Sequence, residues 1–147
     1  MSHALRFSVA SHSESPAKTA ISVRGFEFYV DAPQAFSGSN KAPTPFEYIL
    51  AGYAGCINYV ADLTAQELGI QLIDLDIKVS GDLNTDKMLG KESRERAGYQ
   101  TIYVALVTST IIDPALKSRW LKAIDTRCPI SYNLANTTPI VFHLSHS

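Results

Sequence analysis

The chain has 147 residues, of which 46% are apolar and 18% charged, a composition typical of a folded globular domain. Its formal net charge is −1 and it has no basic run, which argues against nucleic acid as a partner. No apolar stretch reaches the ~20 residues that a membrane span requires, and the N-terminus lacks the long apolar region of a signal peptide. We therefore expect one cytoplasmic domain over residues 1–147 that binds neither nucleic acid nor a membrane.

Short runs before residue 32 alternate between apolar and polar side chains, which predicts β-strands. The first run covers residues 4–11. Residues 18–23 and 25–31 form either two strands or one strand bent at Gly25. Residues 32–42 have the composition of a loop.

A long helix is predicted from Thr44 to Gly69. Thr44 can cap it, Pro45 suits its first position, and Glu47 completes a capping box. Small residues cluster near its middle: Ala51, Gly52, Ala54 and Gly55. Because each internal glycine costs about 1 kcal/mol against alanine, we expect a compensating close approach by a second helix at this cluster.

The second half of the chain alternates strands and helices. The predicted order is strand, exposed polar excursion, strand, helix, short helix and closing strand. Their expected bounds are 71–84, 85–97, 99–110, 114–127, 129–136 and 139–145. This order predicts an α+β fold with an antiparallel or mixed sheet.

Cys56 and Cys128 are the residues best suited to carry chemistry, although both could also be inert packing. Cys56 lies in the apolar part of the long helix, where a thiolate needs a nearby cation or hydrogen-bond donors. Cys128 lies at the predicted N-cap of the short helix, whose dipole favours a thiolate, and Arg127 adds positive charge. The two form no CxxC motif, and all four histidines lie near the chain ends, so we expect neither a metal nor another cofactor.

Arg24 and Glu47 each have two possible roles. Arg24 either covers apolar surface with its stem, or aims its guanidinium at a thiolate and a peroxide oxygen. Glu47 either serves the capping box alone or also holds Arg24 by a bidentate pair.

The segments PTPFEYILAGYAGC and RCPISYNL, together with VRGFEFYVDAP and LIDLDIKVSGDLN, resemble the OsmC/Ohr family of thiol peroxidases. The resemblance covers nearly the whole chain and is strongest to the broad OsmC-like branch. It implies an intertwined homodimer in which two long helices cross at the centre and sheets from both chains wrap around them. The small residues of the long helix agree with such a crossing.

The resemblance also implies an activity. Cys56 would attack the O–O bond of an organic hydroperoxide and become a sulfenic acid, and Cys128 would resolve it to a disulfide. A dithiol such as dihydrolipoamide, or a small thiol, would restore both thiols. Arg24 and Glu47 would complete the catalytic site. The apolar substrate would lie against Phe36, Phe46 and Tyr53.

One position departs from the hydroperoxide-resistance members, in which the glutamate directly follows the helix proline. Here Phe46 intervenes, so the Glu47 carboxylate is rotated by ~100° around the helix. Two other classes of function also stay open. The same dimeric cleft could bind a small apolar ligand without catalysis, or the protein could be structural with unperturbed thiols.

Overall fold

The structure is a computed structural model that describes residues 4–147. Its contacts fall into two compact units, the first ending at Ile49 and the second covering Leu50–Ser147. The elements are α-helices and antiparallel sheets, which confirms the predicted α+β class. Within the described residues, no helix combines the length and the apolar character needed to cross a membrane.

The first unit contains a three-stranded antiparallel sheet with the order β1-β2-β3. Its strands are β1 (Ala10–Ser13), β2 (Thr19–Val23) and β3 (Phe26–Val30). Val23 pairs with Phe26, so β2 and β3 are joined by a two-residue turn. Both turn residues have positive φ, 49° at Arg24 and 85° at Gly25, as in the hairpin turn that matches strand twist. The two-strand alternative for this region is therefore the correct one.

Both predicted terminal strands are wrong in these bounds. Residues 4–9 are outside any strand, because the first strand begins only at Ala10, and residues 137–147 contain no regular element. Both segments carry exposed apolar side chains, including Phe142 at 94% exposure. Alternation describes a strand only when a neighbouring strand supplies hydrogen bonds, and nothing in residues 4–147 pairs with either segment.

The predicted loop after β3 is confirmed, and it folds around the fully buried Asp31. The Asp31 carboxylate accepts hydrogen bonds from the backbone N–H groups of Ala32, Ser39 and Lys41. The Ser39 hydroxyl donates a further bond at 2.5 Å. These bonds, led by that of the Ser39 hydroxyl, hold the pKa of Asp31 far below its usual range. The loop also contains one 3₁₀ turn, Gln34–Phe36.

The long helix α1 spans Pro45–Glu67. Its capping box is confirmed, since Thr44 N donates to Glu47 Oε1 at 2.9 Å and Glu47 N donates to Thr44 Oγ1 at 3.2 Å. The helix ends where Gly69 takes a left-handed φ of 73°, as expected for a glycine C-terminal signal. Purely local chemistry therefore defines both ends of α1.

The second unit contains a two-stranded antiparallel sheet, β4 (Asp76–Leu83) and β5 (Tyr99–Val107). The excursion between them has no regular structure, as predicted. However, β4 begins five residues later than predicted, at Asp76 rather than Gln71. Asp74 accepts hydrogen bonds from the N–H and hydroxyl of Ser109, so side-chain bonds replace the strand ladder there.

Two helices follow at the predicted places, α2 (Pro114–Arg127) and α3 (Pro129–Ala135). The indole of Trp120 joins α2 to α1, because its Nε1 donates to the Ala61 carbonyl at 2.9 Å. The buried core of this unit combines residues of α1 and α2 with Ile70, which follows α1, and Cys128, which lies between α2 and α3. Its members are Tyr53, Ile57, Val60, Ala61, Ala65, Ile70, Trp120, Ile124 and Cys128.

Candidate redox site

The two cysteines meet in the second unit. Cys56 lies on α1 and Cys128 lies between α2 and α3, 72 positions later, yet their Sγ atoms are 2.9 Å apart. Both are free thiols. Cys128 is only 1% exposed, whereas Cys56 is half-buried. Of the two sulfurs, Cys56 is therefore the one that a dissolved reagent can reach.

Cys128 occupies the break between two helices, as predicted. Its N–H donates to the Ile124 carbonyl at 3.1 Å and ends α2. Its Sγ then accepts a hydrogen bond from Ser131 N at 3.4 Å and caps α3, whose first residue is Pro129. Proline both stops α2 and suits the first position of α3, which fixes the sulfur at this corner.

The net effect on the Cys128 thiol is opposite to the sequence-based expectation. Burial raises its pKa above the usual range, and the contact with Cys56 raises it further, while the bond from Ser131 N lowers it less. Arg127 does not add free positive charge, because it forms bonds of 2.5 and 3.1 Å with the Glu67 carboxylate. Cys128 is therefore held as a neutral thiol that donates toward Cys56 Sγ.

A chain of hydroxyl groups continues from this cysteine pair. Tyr53 Oη donates to Ser131 Oγ at 3.0 Å, and Ser131 Oγ donates to Asp125 Oδ1 at 2.5 Å. Sequence reasoning named Tyr53 as a substrate contact and missed both Ser131 and Asp125. Ser131 follows Cys128 by three residues, a spacing that indicates capping, whereas the sequence around Asp125 carries no signal for this contact.

The remaining residues expected at the site lie in the first unit. Arg24 stands at the tip of the β2–β3 hairpin, and its guanidinium lies 5.2 Å from the centre of the Phe26 ring. Within residues 4–49, Arg24 forms no ion pair. Phe36 is exposed on its 3₁₀ turn, and Phe46 is half-buried in the first turn of α1.

Glu47 is engaged in the capping box of α1. Hydrogen bonds from Thr44 lower the pKa of Glu47 below its usual value, so it is a carboxylate at neutral pH. In the described part of the chain, no group of three or more His, Cys, Asp and Glu side chains could hold a metal ion.

Comparison with known proteins places the chain in a family. The family model described as OsmC-like protein matches residues 38–143. No curated protein matches the chain. An OsmC-like protein from Mycoplasma pneumoniae has a similar structure, with a TM-score of 0.77 and 17% identity over 90% of this chain and 89% of that one.

Two hydroperoxide-resistance proteins also have similar structures. OsmC from Legionella pneumophila, described as an organic hydroperoxide resistance protein, gives a TM-score of 0.67 and 15% identity over 88% of this chain and 89% of that one. The organic hydroperoxide resistance protein OhrB of Bacillus subtilis gives a TM-score of 0.60 and 23% identity over 86% of this chain and 88% of that one. Because these identities are low, the structural matches establish a shared fold alone. The family-model match covers most of the sequence, and the chain therefore belongs to the OsmC-like family.

Proposed function

We propose that this protein is a thiol-dependent peroxidase that reduces organic hydroperoxides. The observation that carries the proposal is the pair of free sulfurs 2.9 Å apart, one half-buried and one fully buried. This arrangement gives each sulfur a distinct role, because a peroxide can reach Cys56 while Cys128 waits as a protected thiol. Two free cysteines are also consistent with a protein that functions in a reducing compartment, and we propose that this protein is located in the cytoplasm.

The proposed reaction has two steps. The Cys56 thiolate attacks the terminal oxygen of the hydroperoxide, an S–O bond forms, and the O–O bond breaks. The alkoxide takes up from solvent the proton that the Cys56 thiol released, and leaves as an alcohol. Cys128 then attacks the Cys56 sulfenic acid, an S–S bond forms, and the hydroxyl leaves as water with the Cys128 proton. An external dithiol or small thiol is oxidised to its disulfide and restores both protein thiols.

The substrate assignment draws on the relatives and on apolar residues of this chain. Two of the structural relatives are described as organic hydroperoxide resistance proteins. We propose that aromatic side chains bind the apolar part of the substrate, namely those of Phe36, Phe46 and Tyr53. Aromatic side chains suit an alkyl or aryl group better than the small, polar hydrogen peroxide.

A single-turnover oxidation tests this function. Reduced protein is mixed with one equivalent of cumene hydroperoxide in a stopped-flow instrument, and the remaining thiols are titrated after unfolding. Both thiols should disappear together, one equivalent of cumyl alcohol should form, and hydrogen peroxide should react more slowly. Survival of both thiols in excess cumene hydroperoxide would remove the peroxidase assignment.

The backbone at Arg24 supports a functional role for its guanidinium. A non-glycine residue at φ 49° is disfavoured, and Asn or Gly would fit this turn better. Strain of this kind persists where the side chain is required for another reason. We propose that Arg24 stabilises the charge that develops on sulfur and peroxide oxygen, and that Glu47 moves from its cap to orient Arg24.

Arg24→Asn should slow the oxidation of Cys56 by cumene hydroperoxide by about 10²-fold, since one positioned donor contributes roughly that factor. Stability should not fall, because asparagine tolerates left-handed backbone. The oxidation rate of Arg24→Lys should lie between those of the wild type and Arg24→Asn, since lysine keeps the charge but lacks the planar guanidinium. Stopped-flow rates and thermal melts give both quantities.

The matched control is Arg96→Asn, which makes the same charge change in the exposed excursion between β4 and β5. This variant should react at the wild-type rate. Equal oxidation rates in Arg24→Asn and Arg96→Asn would contradict the catalytic role, and Arg24 would then serve only to cover apolar surface with the aliphatic part of its side chain.

We propose that a second copy of the chain completes the structure as a homodimer. The small-residue part of α1 has no crossing helix in the described chain, and Cβ atoms built at Gly52 and Gly55 would meet nothing within 4 Å. Beside it, a groove of about 440 Å³ exposes Tyr59, Leu63 and Ile73. Large apolar side chains are also exposed elsewhere in residues 4–147, among them Phe7, Ile111 and Phe142, as expected of a surface that a second chain covers. Sedimentation equilibrium should give twice 16.1 kDa, and a monomeric mass would contradict the dimer.

A further inference from the structure

A second contact joins the two helix turns that carry the cysteines. Tyr53 precedes Cys56 by three residues on α1, and Ser131 follows Cys128 by three at the start of α3. Residues three apart lie on one side of a helix, so each turn presents a hydroxyl beside its sulfur. The hydroxyl pair, 3.0 Å apart, therefore lies next to the sulfur pair, 2.9 Å apart.

Ser131 is held from three directions, which makes it the centre of a hydroxyl bridge formed by Tyr53, Ser131 and Asp125. Its hydroxyl accepts from Tyr53 and donates to the Asp125 carboxylate of α2. Its backbone N–H donates to Cys128 Sγ at 3.4 Å. A displacement of Ser131 would therefore move the group that touches the Cys128 sulfur.

The bridge is shielded from water at its centre. Tyr53 is 8% and Ser131 6% exposed, whereas Asp125 lies at the surface. Burial raises the pKa of Tyr53 above its usual range; the hydrogen bond with Ser131 lowers it by less, and the Asp125 carboxylate adds a smaller upward shift. The phenol therefore stays protonated and remains a donor to Ser131. Loss of one partner of a buried hydrogen bond leaves the other unsatisfied, which loosens the contact.

We propose that Tyr53, Ser131 and Asp125 are positioning residues for disulfide formation, and that their hydroxyl bridge holds Cys128 Sγ within bonding reach of Cys56 Sγ. The proposal deepens the proposed function, on which it rests for the resolving role of Cys128. Two groups that are already held together react as if one were present at very high concentration. The hydroxyl bridge restrains the separation of the two Sγ atoms, because it links the helix turns that carry them.

A glutathione redox buffer measures the restraint without any peroxide. One oxidised glutathione takes two electrons and two protons from the two thiols, giving the protein disulfide and two reduced glutathiones. Tyr53→Phe keeps the ring but removes the hydroxyl, and Ser131→Ala removes the other hydroxyl. Each should lower the equilibrium constant for disulfide formation about tenfold, which corresponds to about 30 mV.

Two controls match these changes at exposed positions, Tyr132→Phe on α3 and Ser118→Ala on α2. Both should shift the constant by less than about twofold. Folded Tyr53→Phe and Ser131→Ala proteins with wild-type constants would overturn the proposal. A protein that forms the disulfide but ignores hydroperoxides would overturn the proposed function alone, because the redox titration does not depend on it.

Asp125 gives an independent arm, because it is exposed and its replacement leaves the core intact. Asp125→Ala should lower the constant severalfold, and Asp125→Asn should restore it, since the amide oxygen can still accept from Ser131 Oγ. After one equivalent of cumene hydroperoxide, dimedone should trap more Cys56 sulfenic acid in Asp125→Ala than in Asp125→Asn. Equal behaviour of these two variants would contradict a positioning role.

Discussion

Cys56→Ser should lower the rate of cumene hydroperoxide reduction by at least about 10³-fold, because a serine hydroxyl is un-ionised at neutral pH and a poor nucleophile toward an O–O bond. The fold should be retained, since serine is nearly isosteric with cysteine at this half-buried position. Consumption of hydroperoxide with dihydrolipoamide as the reductant is the measurement, with circular dichroism as the check on folding.

Cys128→Ser is the companion variant and should behave differently. It should complete the first turnover at a near wild-type rate and then accumulate Cys56 sulfenic acid, detected with dimedone, because the buried resolving thiol is missing. If Cys56→Ser still reduces hydroperoxide, the accessible sulfur is not the nucleophile. The ligand-binding alternative is supported if the wild type has no peroxidase activity and Cys56→Ser binds an apolar ligand as well as the wild type does.

Trp120→Ala should lower the free energy of unfolding by about 3–5 kcal/mol. The indole is 2% exposed in the core, and its Nε1 donates to the Ala61 carbonyl of α1. Its removal leaves a cavity between α1 and α2 and deletes their hydrogen bond. Since domains of this size have a total stability of only about 5–15 kcal/mol, the loss is large. Urea unfolding followed by far-UV circular dichroism measures it.

Two variants separate the parts of this effect. Trp120→Phe keeps an aromatic ring and loses the hydrogen bond, so it should cost about 1–2 kcal/mol. Leu121→Ala changes the adjacent, largely solvent-facing side chain and should cost less than about 1 kcal/mol. An unfolding midpoint for Trp120→Ala equal to that of Leu121→Ala would show that the indole does not support the helix packing.

The helices could be predicted from sequence because their ends depend on neighbours in the chain. Thr44 and Glu47 bond to each other across three residues, and Asp113 accepts from the N–H groups two and three residues ahead. Such contacts form wherever the local sequence allows them. The terminal strands could not be predicted in the same way, because a strand exists only with a partner and alternation does not identify one.

The candidate site was predictable only in part. The sequence identified both cysteines and the helix break at Pro129, and the family resemblance supplied their proposed roles. The sequence did not indicate that the effect of burial on the Cys128 thiol exceeds the effect of the helix N-terminus, so that the pKa of this thiol is raised. It also gave no sign of the contact between Ser131 and Asp125.

By itself, the sequence determined where the helices begin and end and which residues can react, since both follow from side-chain chemistry and contacts a few residues apart. Only the tertiary structure decided that two sulfurs 72 positions apart meet at 2.9 Å, and which one is shielded. The physical reason is that their meeting depends on packing α2 and α3 against α1, through distant contacts such as Trp120 with Ala61. Burial then sets the charge state of the shielded thiol, and burial is a property of the whole packed core.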